Sequence, residues 1–90
     1  MTVQHSMIVD AMREQASAGA GPAELLRKVA EDYGIVQQIV WMELFCQAFD
    51  CNLGSVTAIG AWWHEGQNEL SDKDLDAYIG YVIEDYFKKA

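Results

Sequence analysis

Apolar residues recur at helical spacing over most of this chain and alternate at strand spacing nowhere. Val3, Met7, Ile8, Ala11 and Met12 form one stripe with Asp10, Arg13 and Glu14 outside it, which predicts a first helix capped by Thr2 and running to about Ala16. The small residues and glycines from Ser17 to Gly21 favour a break. Pro22 suits the first position of a second helix, because the N–H it lacks would go unbonded there anyway. Leu25, Leu26, Val29, Ala30 and Tyr33 then recur at three- and four-residue spacing, and Gly34 stands where a left-handed terminating residue is needed, so this helix ends at Tyr33. From Ile35 to Phe49 the apolar positions cover well over half of a helical circumference, the pattern of a helix wrapped by neighbours on several sides.

Asp50, Asn52 and Gly54 supply turn chemistry, and Ser55 is placed to cap a short fourth helix through Val56, Ile59, Trp62 and Trp63. Glu65 to Glu69 reads as a polar loop. Ser71 with Asp74 approximates a capping box for a last helix from Asp72 to about Lys88, whose inward face is Leu75, Ile79, Val82, Ile83 and Tyr86. Asp72 and Asp74 sit at its positive end and Lys88 and Lys89 at its negative end. With no hairpin turn and no β-branched alternation, the expectation is an all-α fold: a single domain over 1–90, of four to five helices packed around a central apolar helix at about 35–49.

Composition narrows what such a domain does. Against 6 Lys and Arg stand 14 Asp and Glu, a net charge of −8, which repels phosphate backbones and anionic headgroups. Nucleic acid and membrane surfaces are therefore disfavoured partners. The longest apolar-rich run is interrupted by Gln37, Gln38, Glu43 and Gln47 and falls short of the ~18 residues a spanning helix needs. No basic leader precedes an apolar core in the first ten residues, so the expected address is the cytoplasm. Cys46 and Cys51, if both were helical, would stand roughly 8 Å apart, beyond disulfide reach. Free thiols are the expectation, and with no Lys or Arg between Val29 and Asp72 to lower a thiol pKa, a redox role is disfavoured.

Few residue groupings suggest chemistry. The segment Val29-Ala30-Glu31-Asp32-Tyr33-Gly34-Ile35, with Val40 beyond it, resembles the helix-turn-helix pattern, and a DNA-binding regulator using residues 24–45 is what that resemblance implies. Its would-be recognition helix, however, presents Gln37, Gln38 and Glu43 with no Arg or Lys for phosphate, and Glu43 falls where an inward apolar residue belongs. His64 beside Glu65 invites an acid–base reading, yet neighbours on a helix point about 100° apart. Cys46, Cys51, His64 and His5 lack paired zinc-ligand spacing. The stretch from Trp63 to Asp74 has oxygen ligands at calcium-loop spacings, but Trp63 takes the first ligand position and Asn68 the place of the glycine. No catalytic residue, metal or cofactor is assigned.

Charge distribution says more. Between Ala30 and Ser71 the chain carries six acids and no Lys or Arg, and the densest cluster, Glu65, Glu69, Asp72, Asp74 and Asp76, is relieved only by Lys73 and lies beside Trp62 and Trp63. A solvated face that keeps the protein in solution explains such a cluster. A docking surface explains it as well, the aromatic giving desolvated contact and the carboxylates steering a basic protein partner. The candidate partner-binding residues are thus Trp62, Trp63, Glu65, Glu69, Asp72, Asp74 and Asp76, with one tryptophan expected at an edge. A third reading is a homodimer formed through the excess apolar surface of the 35–49 helix or through Tyr78, Tyr81 and Phe87, since Tyr81 and Phe87 fall off the inward stripe.

Overall fold

The helix richest in apolar residues organises the molecule. The computed structural model describes residues 5–66 and 69–89 and contains α1 (His5–Ser17), α2 (Pro22–Tyr33), α3 (Gln38–Phe49), a 3-10 helix (Leu53–Ala61) and α4 (Asp72–Lys89). Helix α3 packs against α1, the 3-10 helix and α4, whereas α2 lies on α4 and α1. Trp41, Leu44, Phe45, Ala48 and Phe49 of α3 are buried among Ile8, Met12, Leu25, Leu26, Ile59, Trp62, Leu75 and Ile79. Each large side chain removed from water in this way contributes about 1.5–3 kcal/mol before chain entropy is set against it. No polar or charged residue is buried among the described residues. The fold is all-α, and among the described residues an isolated bridge pairs Trp62 with Leu70.

Helices α2 and α4 follow their sequence signals closely. Gly34 adopts φ 67° and its N–H donates to the carbonyl of Ala30, closing α2 with a conformation in which a Cβ is strained. The Asp74 N–H donates to Ser71 Oγ at 3.1 Å and so caps α4. Asp76, on the first turns of α4, accepts the Ala23 N–H at 2.9 Å and satisfies a donor at the start of α2 that Gly21, with no side chain, leaves open.

Three expectations are corrected. In α1 the buried stripe is Ile8, Val9, Met12 and Ala16, while Met7 is 60% exposed. The helix packs on α3 and α2 together, so two neighbours and not one set which of its faces is buried. Thr2 and Val3 lie outside the described residues. Helix α3 begins at Gln38, not Ile35, because the left-handed Gly34 is followed by an extended segment with Gln37 at φ −98°, ψ 119°. That segment is held by the Trp41 indole, whose Nε1 donates to the Ile35 carbonyl at 2.7 Å.

The fourth helix differs most. It is a 3-10 helix over Leu53–Ala61, interrupted at Val56, and its cap is Asn52, whose side chain accepts from the Ser55 N–H at 3.1 Å. Two glycines and three β-branched residues make the segment a poor α-helix. Gly60 brings it tight against α3, for a Cβ there would stand 3.2 Å from Met42 Cε. Trp62 and Trp63 consequently lie beyond the helix, with Trp62 extended at φ −116°, ψ 147°.

Candidate functional site

The tryptophans meet at the mouth of the segment joining the 3-10 helix to α4. Trp62 has no exposed surface and packs edge-on to Trp41 at 5.5 Å between ring centroids. Trp63 is half-buried, tilted against Trp41 at 5.4 Å and against His64 at 4.6 Å. Extended backbone explains the split, since consecutive side chains there point to opposite faces. Trp63 is therefore the edge residue, and Trp62 offers a partner nothing to touch.

Arg27 from α2 fastens this cluster. Its guanidinium forks onto Asp72, with Nη1 2.6 Å from Oδ2 and Nη2 2.8 Å from Oδ1, while Nε donates to the His64 carbonyl at 3.2 Å. The same group lies over the Trp62 ring at 5.4 Å, and Trp62 Nε1 donates to Asp72 Oδ1 at 2.9 Å. A planar fork that pairs and stacks at once is arginine chemistry, not lysine chemistry. The hydrogen bond from Arg27, then the indole N–H, holds the Asp72 carboxyl below the usual carboxylate range against the opposing effect of burial. The Arg27 guanidinium is raised in turn, chiefly by that bond, with Glu31 and Asp76 adding to it. Gln38 closes the other side, its Nε2 donating to the carbonyls of Gly60 at 3.0 Å and Trp62 at 2.8 Å.

Arg13 performs a parallel task at the opposite end of α3. It donates to the carbonyls of Ala48 at 2.7 Å and Gln47 at 3.0 Å, groups the last helical turn leaves unbonded, and lies over the Tyr86 ring at 5.6 Å. Both arginines thus serve as internal fastenings.

The seven candidate residues separate accordingly. Trp62 and Asp72 belong to the Arg27 fastening, and Asp76, though exposed, caps α2. Trp63, Glu65, Glu69 and Asp74 remain at the surface around one edge of the cluster, where Trp63 Nε1 donates to Glu65 Oε1 at 3.1 Å. Every acid except Asp72 is exposed, and acids occur on all four α-helices. Net charge by itself therefore singles out no face; what marks the Trp63 edge is a half-buried indole with exposed carboxylates beside it. Arg13, Arg27 and Gln38 were absent from the candidate set, and the signal that could have found the first two is their type, arginine in a chain whose other bases are lysines.

The chemical alternatives find little geometry. Glu65 bonds Trp63 and not His64, whose Nδ1 is buried without a hydrogen-bond partner between the two indoles. Among the described residues no three His, Cys, Asp or Glu side chains converge on one point. Asn68, from the calcium-loop pattern, lies outside the described residues. Helices α2 and α3, consecutive in sequence, share little contact, each packing chiefly on other elements. No helix among the described residues is long and apolar enough to cross a membrane. No protein-family model, curated protein or solved structure matches the chain.

Proposed function

We propose that this chain is a non-catalytic, acidic protein-binding module, of the adaptor, inhibitor or immunity type, that engages a basic protein through its Trp63 edge. The observation that carries the reading is where the cations go. Arg13 and Arg27 are engaged by backbone carbonyls, Asp10 and Asp72, and Lys28, Lys73, Lys88 and Lys89 are the exposed cations set against all the carboxylates but one. At the Trp63 edge an indole that already sits against two rings adds ordered contact area, and Glu65, Glu69 and Asp74 provide the negative rim that accelerates encounter and sets orientation. The cytoplasm, where two free thiols persist, is the compartment this reading favours.

The test is affinity capture at low and high ionic strength with the native protein and with a Glu65→Gln, Asp74→Asn variant, whose neutral side chains leave the fold's fastenings intact. A basic protein retained at low salt and lost by the variant supports the proposal. Binding indifferent to both salt and variant opposes it.

One observation favours a second reading, self-association: Tyr78 and Tyr81 are 60% and 50% exposed, one turn apart on the outward face of α4. Sedimentation at high protein concentration distinguishes the two, a dimer dispersed by Tyr81→Lys favouring self-association and a monomer of about 10 kDa removing it.

A further inference from the structure

Helix α3 ends by folding back on itself. Asp50 takes the left-handed conformation, φ 50°, ψ 57°, and its N–H donates to the Cys46 carbonyl. The Cys51 N–H reaches the same carbonyl at 3.2 Å. This wrapped terminus places Cys46 and Cys51 at the two positions whose side chains ordinarily touch across such an end. The 8 Å spacing expected of a continuous helix does not apply, because Cys51 is no longer helical. Both thiols are free and half-buried. Cys51 also lines an open groove of about 230 Å³ with Asn52, Tyr81 and Tyr86, which gives a small reagent access.

We propose that Cys46 and Cys51 are a modification site, a dithiol that hydrogen peroxide closes to an intramolecular disulfide. One of the two sulfurs, as thiolate, attacks the peroxide: a sulfur–oxygen bond forms, the oxygen–oxygen bond breaks and hydroxide leaves, giving a sulfenic acid. The other sulfur then displaces that hydroxyl, forming the sulfur–sulfur bond, and its proton leaves with the hydroxyl as water. Two thiols are oxidised by two electrons and one peroxide becomes two waters. Closure pins the junction between α3 and the 3-10 helix on the rim of the groove.

The experiment treats the full native chain with a small excess of hydrogen peroxide, alkylates the remaining thiols and digests with trypsin. No Lys or Arg lies between Lys28 and Lys73, so both cysteines fall on one peptide. The expected result is a peptide lighter by about 2 Da, unreactive to the alkylating reagent, from a protein that stays monomeric and recovers both thiols with dithiothreitol. Two alkylated cysteines beside an oxidised Met42, or disulfides between chains, overturn the proposal. In Cys46→Ser and in Cys51→Ser the remaining sulfur has no partner to resolve its sulfenic acid, which dimedone traps in at least one of the two; no adduct in either variant overturns the proposal.

Discussion

Replacing Arg27 with methionine keeps an aliphatic stem over Trp62 and removes the guanidinium that joins α2 to the Trp62–His64 segment and α4. The Arg27 and Asp72 side chains are 31% and 48% exposed, so solvent screening holds the forked ion pair to about 1 kcal/mol, the upper end for a partly exposed pair. The Nε bond to the His64 carbonyl adds about 1 kcal/mol, and stacking on Trp62 about 0.5 kcal/mol. Because one group makes all three contacts, the sum is an upper bound and the expected loss is about 2 kcal/mol. For a chain of this length that lowers Tm by roughly 8–16 °C. Asp72→Asn keeps an acceptor for the Trp62 indole and removes the charge, and a double-mutant cycle between the two substitutions isolates a coupling of about 1 kcal/mol. The sign with pH follows from the lowered Asp72 carboxyl. Its contribution is complete above the unfolded carboxylate value of ~3.9 and is lost as pH falls from there toward the folded value. Urea unfolding should therefore show a constant gap between native protein and Asp72→Asn from neutral pH to about pH 5, narrowing in acid. Coupling indistinguishable from zero at neutral pH, or curves that stay parallel into strong acid, would refute the account of this fastening.

Other substitutions test separate links. Gly80→Ala should stabilise by about 0.5–1 kcal/mol, since a Cβ there meets nothing within 4 Å and alanine is the better helix former, whereas Gly34→Ala, with equal room but φ 67°, should destabilise by about 1 kcal/mol; thermal melts read both signs. Arg13→Met should cost about 1–2 kcal/mol in urea unfolding by freeing the Gln47 and Ala48 carbonyls, and amide exchange should quicken in the last turn of α3. Leu44→Ala, at a position with no exposed surface, should cost 2–5 kcal/mol by calorimetry or chemical unfolding.

Where the sequence was legible, the determining interactions are local. Pro22 and Gly34 bound α2, and Ser71 and Asp74 start α4, each through contacts within a turn or so of itself. The beginning of α3 and the form of the 3-10 helix were not legible, because Trp41 reaching back to Ile35 and Gly60 admitting Met42 are matters of tertiary approach that periodicity does not encode. In the candidate site, one edge tryptophan of the pair was an expectation that their adjacency supports, but which one depends on the chain being extended at Trp62. Asp72 read as an outward charge because its partner, Arg27, is far along the chain and on another helix. The helical premise behind the 8 Å spacing of Cys46 and Cys51 fails for the same kind of reason: a single left-handed residue, Asp50, ends the helix between them.

The most direct measurement is amide and indole chemical-shift mapping of the labelled protein titrated with a captured basic partner at low salt. The account predicts perturbations centred on the Trp63 indole and the backbone of Glu65 and Asp74, with Trp62 and Arg27 unmoved and the whole response abolished at high salt. A footprint on the outward face of α4 around Tyr78 and Tyr81, or one that persists at high salt, contradicts it.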